Sequence, residues 1–255
     1  MMENNFIIFL IIMSIIALFV FIALYFITAG YGKFASKKWG PAINNKLGWV
    51  LMESPVFIVM CILWIMSERK FNPALIVIFC IFQTHYLQRS FIFPFLLKGK
   101  SKMPLSIIIM GITFNILNAI MQGGWLFYIS APDRYTVNWL YSPQFIIGTI
   151  IFFTGMFINI QSDSIIRHLR KPGDTKHYLP QGGMYNYVTS ANYFGEILEW
   201  TGFAILTWSY AGIVFAWWTF ANLVPRAATI YLRYKQEFTK QMTSKKLKRV
   251  IPKIY

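Results

Sequence analysis

The stretch FIIFLIIMSIIALFVFIALYFIT, residues 6–28, contains no charged side chain over 23 positions. A helix rises about 1.5 Å per residue, so this length crosses the roughly 30 Å hydrocarbon core of a bilayer. The stretch is too long for the apolar core of a signal peptide, and Glu3 is the only charged residue that precedes it. It therefore predicts a retained transmembrane helix.

The rest of the 255-residue chain has the composition of an integral membrane protein. Hydrophobic residues make up 56%, aromatic residues 18% and charged residues only 13% of the sequence. A soluble domain of this length needs more polar surface. We therefore expect an all-α, polytopic fold that forms a single domain over residues 1–255. The apolar runs predict seven transmembrane helices, at residues 6–28, 48–66, 71–97, 104–130, 143–168, 189–208 and 210–236.

The basic residues predict how the helices are oriented in the membrane. Twenty of the 24 follow the first, third or fifth predicted helix, or lie from Arg226 onward. The alternate loops hold only Arg69, Lys70 and Arg134. By the positive-inside rule, the N-terminus is outside and the C-terminus is cytoplasmic. The net charge of +15 then gives no reason to expect nucleic-acid binding, and the basic tail at 238–255 is predicted to lie beside anionic membrane lipid.

Cysteine and histidine spacing gives no sign of a disulfide or a metal site. The two cysteines, Cys61 and Cys80, lie in separate apolar runs. The three histidines share none of the short spacings that bind zinc. We expect no metal in this protein.

Two stripes of polar residues interrupt the apolar helices. A charge at the bilayer centre costs about 2.5–3.5 kcal/mol on insertion scales, so such residues must be paired, close to an interface or facing a polar cavity. One interpretation is a set of helix–helix ion pairs and interfacial side chains; the other is a cleft open to the cytoplasm. Residues spaced three or four apart share a helix face, and the two stripes are Asn159, Asp163, Arg167 and Arg170, and Asn192, Glu196 and Glu199.

A cytoplasmic cleft with this distribution of charge suits a dinucleotide. Basic residues such as Arg170, Lys171 and Arg226 would meet phosphates at the mouth, and Arg167 lies on the same stripe. Deeper carboxylates and amides would hold ribose hydroxyls or a carboxamide. A separate pair, Glu53 and Tyr86, lies in neighbouring predicted helices; it could donate two hydrogen bonds to one carbonyl oxygen, or form an ordinary buried hydrogen bond.

Residues 155–209 contain the motifs NIQSD (159–163), LRKPG (169–173), PQGG (180–183) and ANYFGEILEW (191–200). In their order and spacing, these motifs resemble the C-terminal signature of the steroid 5α-reductases. Earlier motifs, GYGKF (30–34), MESPVF (52–57) and HYLQRSFIF (85–93), also resemble the family.

The resemblance implies a seven-helix oxidoreductase that acts on CH–CH bonds and uses NADPH to reduce the double bond of a 3-oxo-Δ4-steroid. It implies that Glu53 and Tyr86 are the catalytic pair, polarising the 3-keto oxygen while hydride is transferred to C5. With Arg167 added from its stripe, the cofactor-binding residues are Tyr31, Lys33, Arg89, Lys100, Asn159, Asp163, Arg167, Arg170, Tyr178, Asn192, Glu196, Arg226 and Tyr234. The residues implied to line the sterol slot are Phe114, Trp200, Phe215 and Trp218.

Three departures from the family pattern bear on the cofactor. Tyr178 stands where the family has an arginine, AATIYLRY (227–234) replaces a histidine-rich stretch, and LKGKSK (97–102) replaces an Asn-Arg-Gly-Arg loop. Lysines lack the bidentate geometry of arginine toward phosphate, so cofactor affinity is expected to differ more than the reaction.

Other functions remain open at this stage. They are reduction of another lipid alkene, such as a polyprenol or an enoyl thioester, an S-adenosylmethionine-dependent membrane methyltransferase of related fold, and a seven-helix receptor or transporter. We expect a monomer that binds a lipophilic enone and membrane lipid. Its membrane would be the inner or plasma membrane in a bacterium and the endoplasmic reticulum in a eukaryote.

Overall fold

The computed structural model describes residues 2–27, 39–98, 101–169 and 177–255. It is mostly helical, as the composition predicts. Two three-residue strands, β1 (Ala42–Asn44) and β2 (Lys102–Pro104), pair antiparallel, which the sequence did not predict. The helices are α1 (Met2–Phe26), α2 (Asn45–Met66), α3 (Pro73–Leu87), α4 (Phe93–Leu96), α5 (Leu105–Gly124), α6 (Pro143–His168), α7 (Ala191–Thr207), α8 (Tyr210–Glu237) and α9 (Thr239–Lys245).

Among the described residues, five helical segments are long and apolar enough to cross a membrane, which is consistent with a polytopic membrane protein. They correspond to the first five predicted spans. The sixth and seventh coincide with α7 and α8, and their crossing, like the orientation of the termini, stays a prediction. The five segments are Met2–Phe26, Asn45–Met66, Pro73–Leu96, Leu105–Ile129 and Pro143–His168.

The predicted break between the last two long helices is confirmed. Trp208 lies there in the left-handed region, with φ at 46°. Ser209 then begins α8, because its hydroxyl oxygen accepts a hydrogen bond from the Gly212 N–H at 3.0 Å. That bond satisfies one of the N–H groups that every helix start leaves without an internal partner.

Two helices continue into π-helical turns. α3 runs into Gln88–Ile92, and α5 runs into Trp125–Ile129. Such turns insert one extra residue and are frequent at functional sites. The first of them contains Arg89, a predicted cofactor-binding residue.

The chain divides into two compact units, each described here by itself. The first consists of the described parts of Met1–Ile12, Ala29–Ile146 and Thr207–Gly212. The second consists of the described parts of Met13–Thr28, Ile147–Leu206 and Ile213–Tyr255. The expectation of a single domain stays a prediction.

In the first unit, α2 packs on α5 through methionines seated on glycines. The Met52 side chain lies over Gly111, and Met60 lies over Gly123. Pro55, inside α2, has no N–H to give to the helix. Nearby, the Asn115 amide of α5 donates to the Met52 carbonyl at 2.7 Å. α5 therefore supplies a hydrogen bond to α2 close to the proline that interrupts its internal hydrogen bonding.

In the first unit, the buried Tyr135 links two segments of the chain by hydrogen bonds. The Tyr135 hydroxyl donates to the Thr207 carbonyl at 2.7 Å and accepts from the Trp125 indole N–H at 2.9 Å. Burial raises the pKa of Tyr135 above its usual value, so the phenol stays protonated and keeps donating. This bond secures the chain segment that separates α7 from α8.

In the second unit, α6 and α7 pack with their backbones in contact. A Cβ atom at Gly155 would lie 2.5 Å from the Gly195 carbonyl oxygen, and one at Gly148 would lie 2.7 Å from that of Gly202. The close packing is reciprocal, since a Cβ at Gly195 or Gly202 would meet the Gly155 or Gly148 carbonyl at 2.7 Å. Small residues at this spacing let membrane helices approach closely.

The end of the chain forms a strap, residues 247–255, across the segment that precedes α7. The Lys248 N–H donates to the Tyr187 carbonyl, and the Thr189 N–H donates to the Lys248 carbonyl, both at 2.9 Å. Val250 is fully buried, whereas Lys248 is exposed. The predicted basic tail is therefore packed against the protein through its apolar residues, and contact of its lysines with lipid stays a prediction.

Candidate functional site

The first polar group, the α5 cluster, consists of Glu53, Tyr86, Asn115 and Asn118. Asn115 uses both hydrogens of its amide nitrogen, one toward the Met52 carbonyl and one toward Glu53 Oε2 at 3.3 Å. Glu53 is half-buried and Asn115 is 4% exposed. A neighbouring helix therefore fixes one oxygen of the carboxyl group.

Tyr86 is held from the same helix. The Asn118 amide nitrogen donates to Tyr86 Oη at 2.9 Å, and both side chains are buried. The Tyr86 ring packs on Phe82 and His85, with ring centroids 4.8 and 4.9 Å away. Asn115 and Asn118 lie on the same face of α5, so one helix holds both members of the predicted catalytic pair.

The second polar group, the α6–α7 cluster, consists of Asn159, Asp163, Asn192 and Glu196. The Asn159 amide nitrogen donates to the Asn192 carbonyl at 2.9 Å and lies 3.4 Å from Glu196 Oε2. The Asn192 amide donates to Asp163 Oδ1 at 3.1 Å. The two stripes predicted from residue spacing therefore face each other.

Glycines explain why these four side chains meet. Gly155 lies one turn before Asn159, Gly195 lies directly before Glu196, and the backbones of the two glycines are in contact. Short amide and acidic side chains can bond across two helices only when the helix axes are close. The sequence element NYFGE therefore combines the close contact with the polar residue that uses it.

Tyr185 joins the α6–α7 cluster, although no motif or spacing predicts that it does. Its hydroxyl lies 3.5 Å from Asn192 Oδ1, and its side chain is 1% exposed. Burial raises the pKa of Tyr185 well above its usual value, and the Asp163 carboxylate raises it further. The phenol is therefore a permanent donor beside a carboxylate.

The predicted basic residues have different surroundings. A buried guanidinium nitrogen of Arg167, Nη1, has no hydrogen-bond partner among the described residues. Arg226 lies over the Tyr193 ring at 5.4 Å, and Arg89 lies over the rings of Trp49 and Phe93 at 4.8 and 4.5 Å. Guanidinium groups on aromatic faces are held in place with their N–H groups still able to donate at the edges.

The predicted sterol-lining residues fall in both units. Trp200 and Phe215 are in contact in the second unit, with ring centroids 4.5 Å apart. Trp218 lies one turn after Phe215 on α8 and is half-buried. Phe114 is half-buried in the first unit, next to Asn115 in the sequence.

The remaining predicted cofactor-binding residues differ in burial, and some lie outside the described residues. Tyr234 is buried among Leu179, Met242 and Leu247, whereas Tyr178 is 40% exposed. Four predicted residues lie outside the described residues: Tyr31, Lys33, Lys100 and Arg170.

Sequence reasoning missed the three amides of α5. Asn115, Asn118 and Gln122 advance by three and four residues and are each at most 4% exposed. The same spacing argument that found the stripes of α6 and α7 would have found this one. It was missed because amides carry no charge and stand out less in an apolar run.

Apolar helices that carry buried carboxyl, amide and phenol groups are typical of an enzyme embedded in a membrane. Comparisons with known proteins identify the family. The model of the 3-oxo-5-alpha-steroid 4-dehydrogenase family matches residues 101–255. Steroid 5-alpha-reductase DET2 of Gossypium hirsutum is 38% identical over 250 residues, covering 96% of each chain.

Animal relatives show the same similarity. The 3-oxo-5-alpha-steroid 4-dehydrogenase 1 of Macaca fascicularis is 38% identical over 82% of this chain and 79% of its own. The human protein of that name is 36% identical over 88% of this chain and 86% of its own. The chain belongs to the steroid 5-alpha-reductase family, and it is therefore an oxidoreductase.

Proposed function

We propose that this protein is an NADPH-dependent reductase of the Δ4 double bond of 3-oxo-Δ4-steroids. One observation carries the proposal: in a chain of this family, a carboxyl group and a phenol each accept a hydrogen bond from an asparagine on the same face of one helix, α5. Two such donors suit a ketone oxygen. The proposal covers the substrate class, the cofactor and the roles of individual residues.

Glu53 and Tyr86 polarise the 3-keto oxygen. A carboxyl group that keeps its proton in apolar surroundings donates a hydrogen bond, and so does a phenol. Adding hydride to an enone builds negative charge on that oxygen, so both donors bind the transition state more tightly than the ground state. A hydride adds to C5 and a proton to C4, giving the saturated 3-oxosteroid and NADP⁺.

The residues of the α6–α7 cluster fit NADPH. Its amides and carboxylates suit ribose hydroxyls and a carboxamide, and the buried Nη1 of Arg167 suits a phosphate oxygen. NADPH, when bound, supplies the hydride. Asn159, Asp163, Asn192 and Glu196 would hold its nicotinamide half, with Arg226 toward its phosphates.

Other assigned contacts depend more heavily on the resemblance. Trp200, Phe215 and Trp218, with Phe114, would pack the sterol. Further cofactor contacts are proposed for Tyr31, Lys33, Arg89, Lys100, Arg170, Tyr178 and Tyr234.

We also propose the membrane arrangement. α7 and α8 complete seven spans, with the N-terminus outside and the C-terminus cytoplasmic, because the basic residues cluster on one side. The protein acts as a monomer in a lipid bilayer.

The function is tested with purified protein, NADPH and progesterone or testosterone, and the product is identified by mass spectrometry. We expect the 5α-reduced 3-oxosteroid. Glu53→Gln and Tyr86→Phe should each lower turnover at least tenfold, since loss of one oxyanion donor costs roughly 2.7–4 kcal/mol of barrier. Wild-type rates in both variants would remove the proposed catalytic pair.

The cofactor is tested separately by thermal stability. NADPH should raise the melting temperature more than S-adenosylmethionine does, and Asn192→Leu should weaken that shift. A shift with S-adenosylmethionine alone would contradict the reductase proposal. NADPH binding without steroid turnover would point instead to another lipid alkene, tested with a polyprenol and an enoyl thioester.

A further inference from the structure

The amide stripe of α5 contains one atom that stability does not explain. Asn115 and Gln122 direct their amide nitrogens at backbone carbonyls, of Met52 and Ala211. Asn118 is fully buried and donates to Tyr86 Oη, but its own Oδ1 has no hydrogen-bond partner in the described part of the chain. A buried acceptor left without a donor destabilises a fold.

A leucine at position 118 would have nearly the same shape without that cost. Buried polar groups that weaken a fold are expected where function requires them. Within the described part of the chain, the Asn118 side chain has one hydrogen-bond partner, the hydroxyl of Tyr86, so the requirement concerns that hydroxyl.

We propose that Asn118 is the positioning residue of Tyr86, a role that rests on the proposed function above. Its N–H occupies a lone pair of the phenol oxygen, so the phenol must direct its own O–H away from Asn118. A hydroxyl that accepts a hydrogen bond also donates a stronger one. Asn118 thus sets Tyr86 as a donor to the ketone oxygen of the steroid.

Asn115 has the matching role toward Glu53. It donates to Oε2 at 3.3 Å while its second N–H is fixed on the Met52 carbonyl at 2.7 Å. An oxygen that accepts this bond favours the carboxyl proton on the other oxygen, Oε1. The two asparagines therefore set the direction of both donors from one helix face.

The test uses Asn118→Leu in the full-length protein. Thermal stability should equal or exceed that of the wild type, while kcat falls about tenfold and the KM for NADPH is unchanged. A merely structural asparagine would lower stability and leave kcat alone. Gln122→Leu is the matched control, because it removes a buried amide from the same face and should lower thermal stability.

A double variant shows whether Asn118 affects kcat through Tyr86. If Asn118 acts only through the phenol oxygen, adding Asn118→Leu to Tyr86→Phe should change the rate no further. In case the leucine variant does not accumulate, Asn118→Asp keeps the shape but replaces the donor by an acceptor, and it should lower kcat as well.

The outcomes separate the two proposals. A wild-type protein that fails to reduce the enone overturns the proposed function and this role with it. A fully active Tyr86→Phe leaves the reductase activity standing but overturns the catalytic role of Tyr86 and, with it, the positioning role of Asn118. An active wild type with an impaired Tyr86→Phe, but with wild-type kcat in the position-118 variants, overturns the positioning role alone. An equal loss from Asn118→Leu in both backgrounds does the same.

Discussion

The α2–α5 and α6–α7 interfaces both use glycine, but the glycines face different kinds of atom. On α5, Gly111 receives the side chain of Met52, and a Cβ there would lie 2.6 Å from its sulfur. On α6, Gly155 meets the backbone of α7, and a Cβ would lie 2.5 Å from the Gly195 carbonyl oxygen. A methionine side chain can rotate away, whereas a helix backbone cannot move without its neighbours.

The kind of atom that each glycine faces determines which interface tolerates substitution. Backbone contact brings the short side chains of the α6–α7 cluster into hydrogen-bond range, so spacing and chemistry are coupled there. The α2–α5 interface is adjustable, and its long side chains absorb errors in helix position. Substitutions at the α6–α7 backbone contact, in the α6–α7 cluster and at the α2–α5 interface test this comparison, beginning with the contact where we expect the greatest loss of stability.

Gly155→Ala or Gly195→Ala should have the largest effect. Each added methyl group forces α6 and α7 apart, and overpacking of this kind costs about 3 kcal/mol, at the upper end of its usual range. Thermal unfolding in detergent measures the loss, and NADPH titration should show weaker binding because the α6–α7 cluster is pulled apart. Near wild-type stability in both variants would show that the interface is adjustable.

Asn159→Leu should have a smaller effect on stability. It removes the donor to the Asn192 carbonyl at 2.9 Å but leaves the glycine contact intact. Loss of a buried hydrogen bond whose acceptor stays behind costs about 1–3 kcal/mol. The comparison predicts that melting temperature drops less than in Gly155→Ala while NADPH binding is still impaired; a larger drop would make the hydrogen bonds, not the glycines, the main support.

Gly111→Ala should have the smallest effect, about 1 kcal/mol or less, because the Met52 side chain can change rotamer and alanine favours the helix. Gly124→Ala is its control: the nearest atom to a Cβ there is Phe6 Cε2 at 3.3 Å, so the melting temperature should hold or rise. If Gly111→Ala matches Gly155→Ala in cost, the distinction between the two interfaces is wrong.

Much of the fold was predictable because a helix that crosses lipid needs a long, uninterrupted run of apolar residues. Apolar runs predicted every long helix, and they placed the break before α8 correctly. The pairing of β1 with β2 was not predictable, since three residues carry no usable periodicity. Nor was the docking of the C-terminal strap, which depends on contacts between Lys248 and Tyr187, 61 positions apart along the chain.

The candidate site was predictable where charge marked it. Spacing alone placed Asn159, Asp163, Asn192 and Glu196 on two stripes, and the structure brings those stripes together. Spacing could not reveal that glycine contacts set their separation, or that uncharged amides of α5 support Glu53 and Tyr86. These features depend on partners from distant parts of the chain, and their roles in catalysis stay predictions.

The strap has a consequence for how the protein matures. The segment that leads into α7 gains its partners, Lys248 and Arg249, only after all of α7 and α8 has been synthesised. The hydroxyl of Tyr255 also lies 3.2 Å from that of Tyr25, near the end of α1. The start of α7 therefore reaches its final packing only after residues 248–249 have been synthesised, and it cannot do so while α8 is still being made.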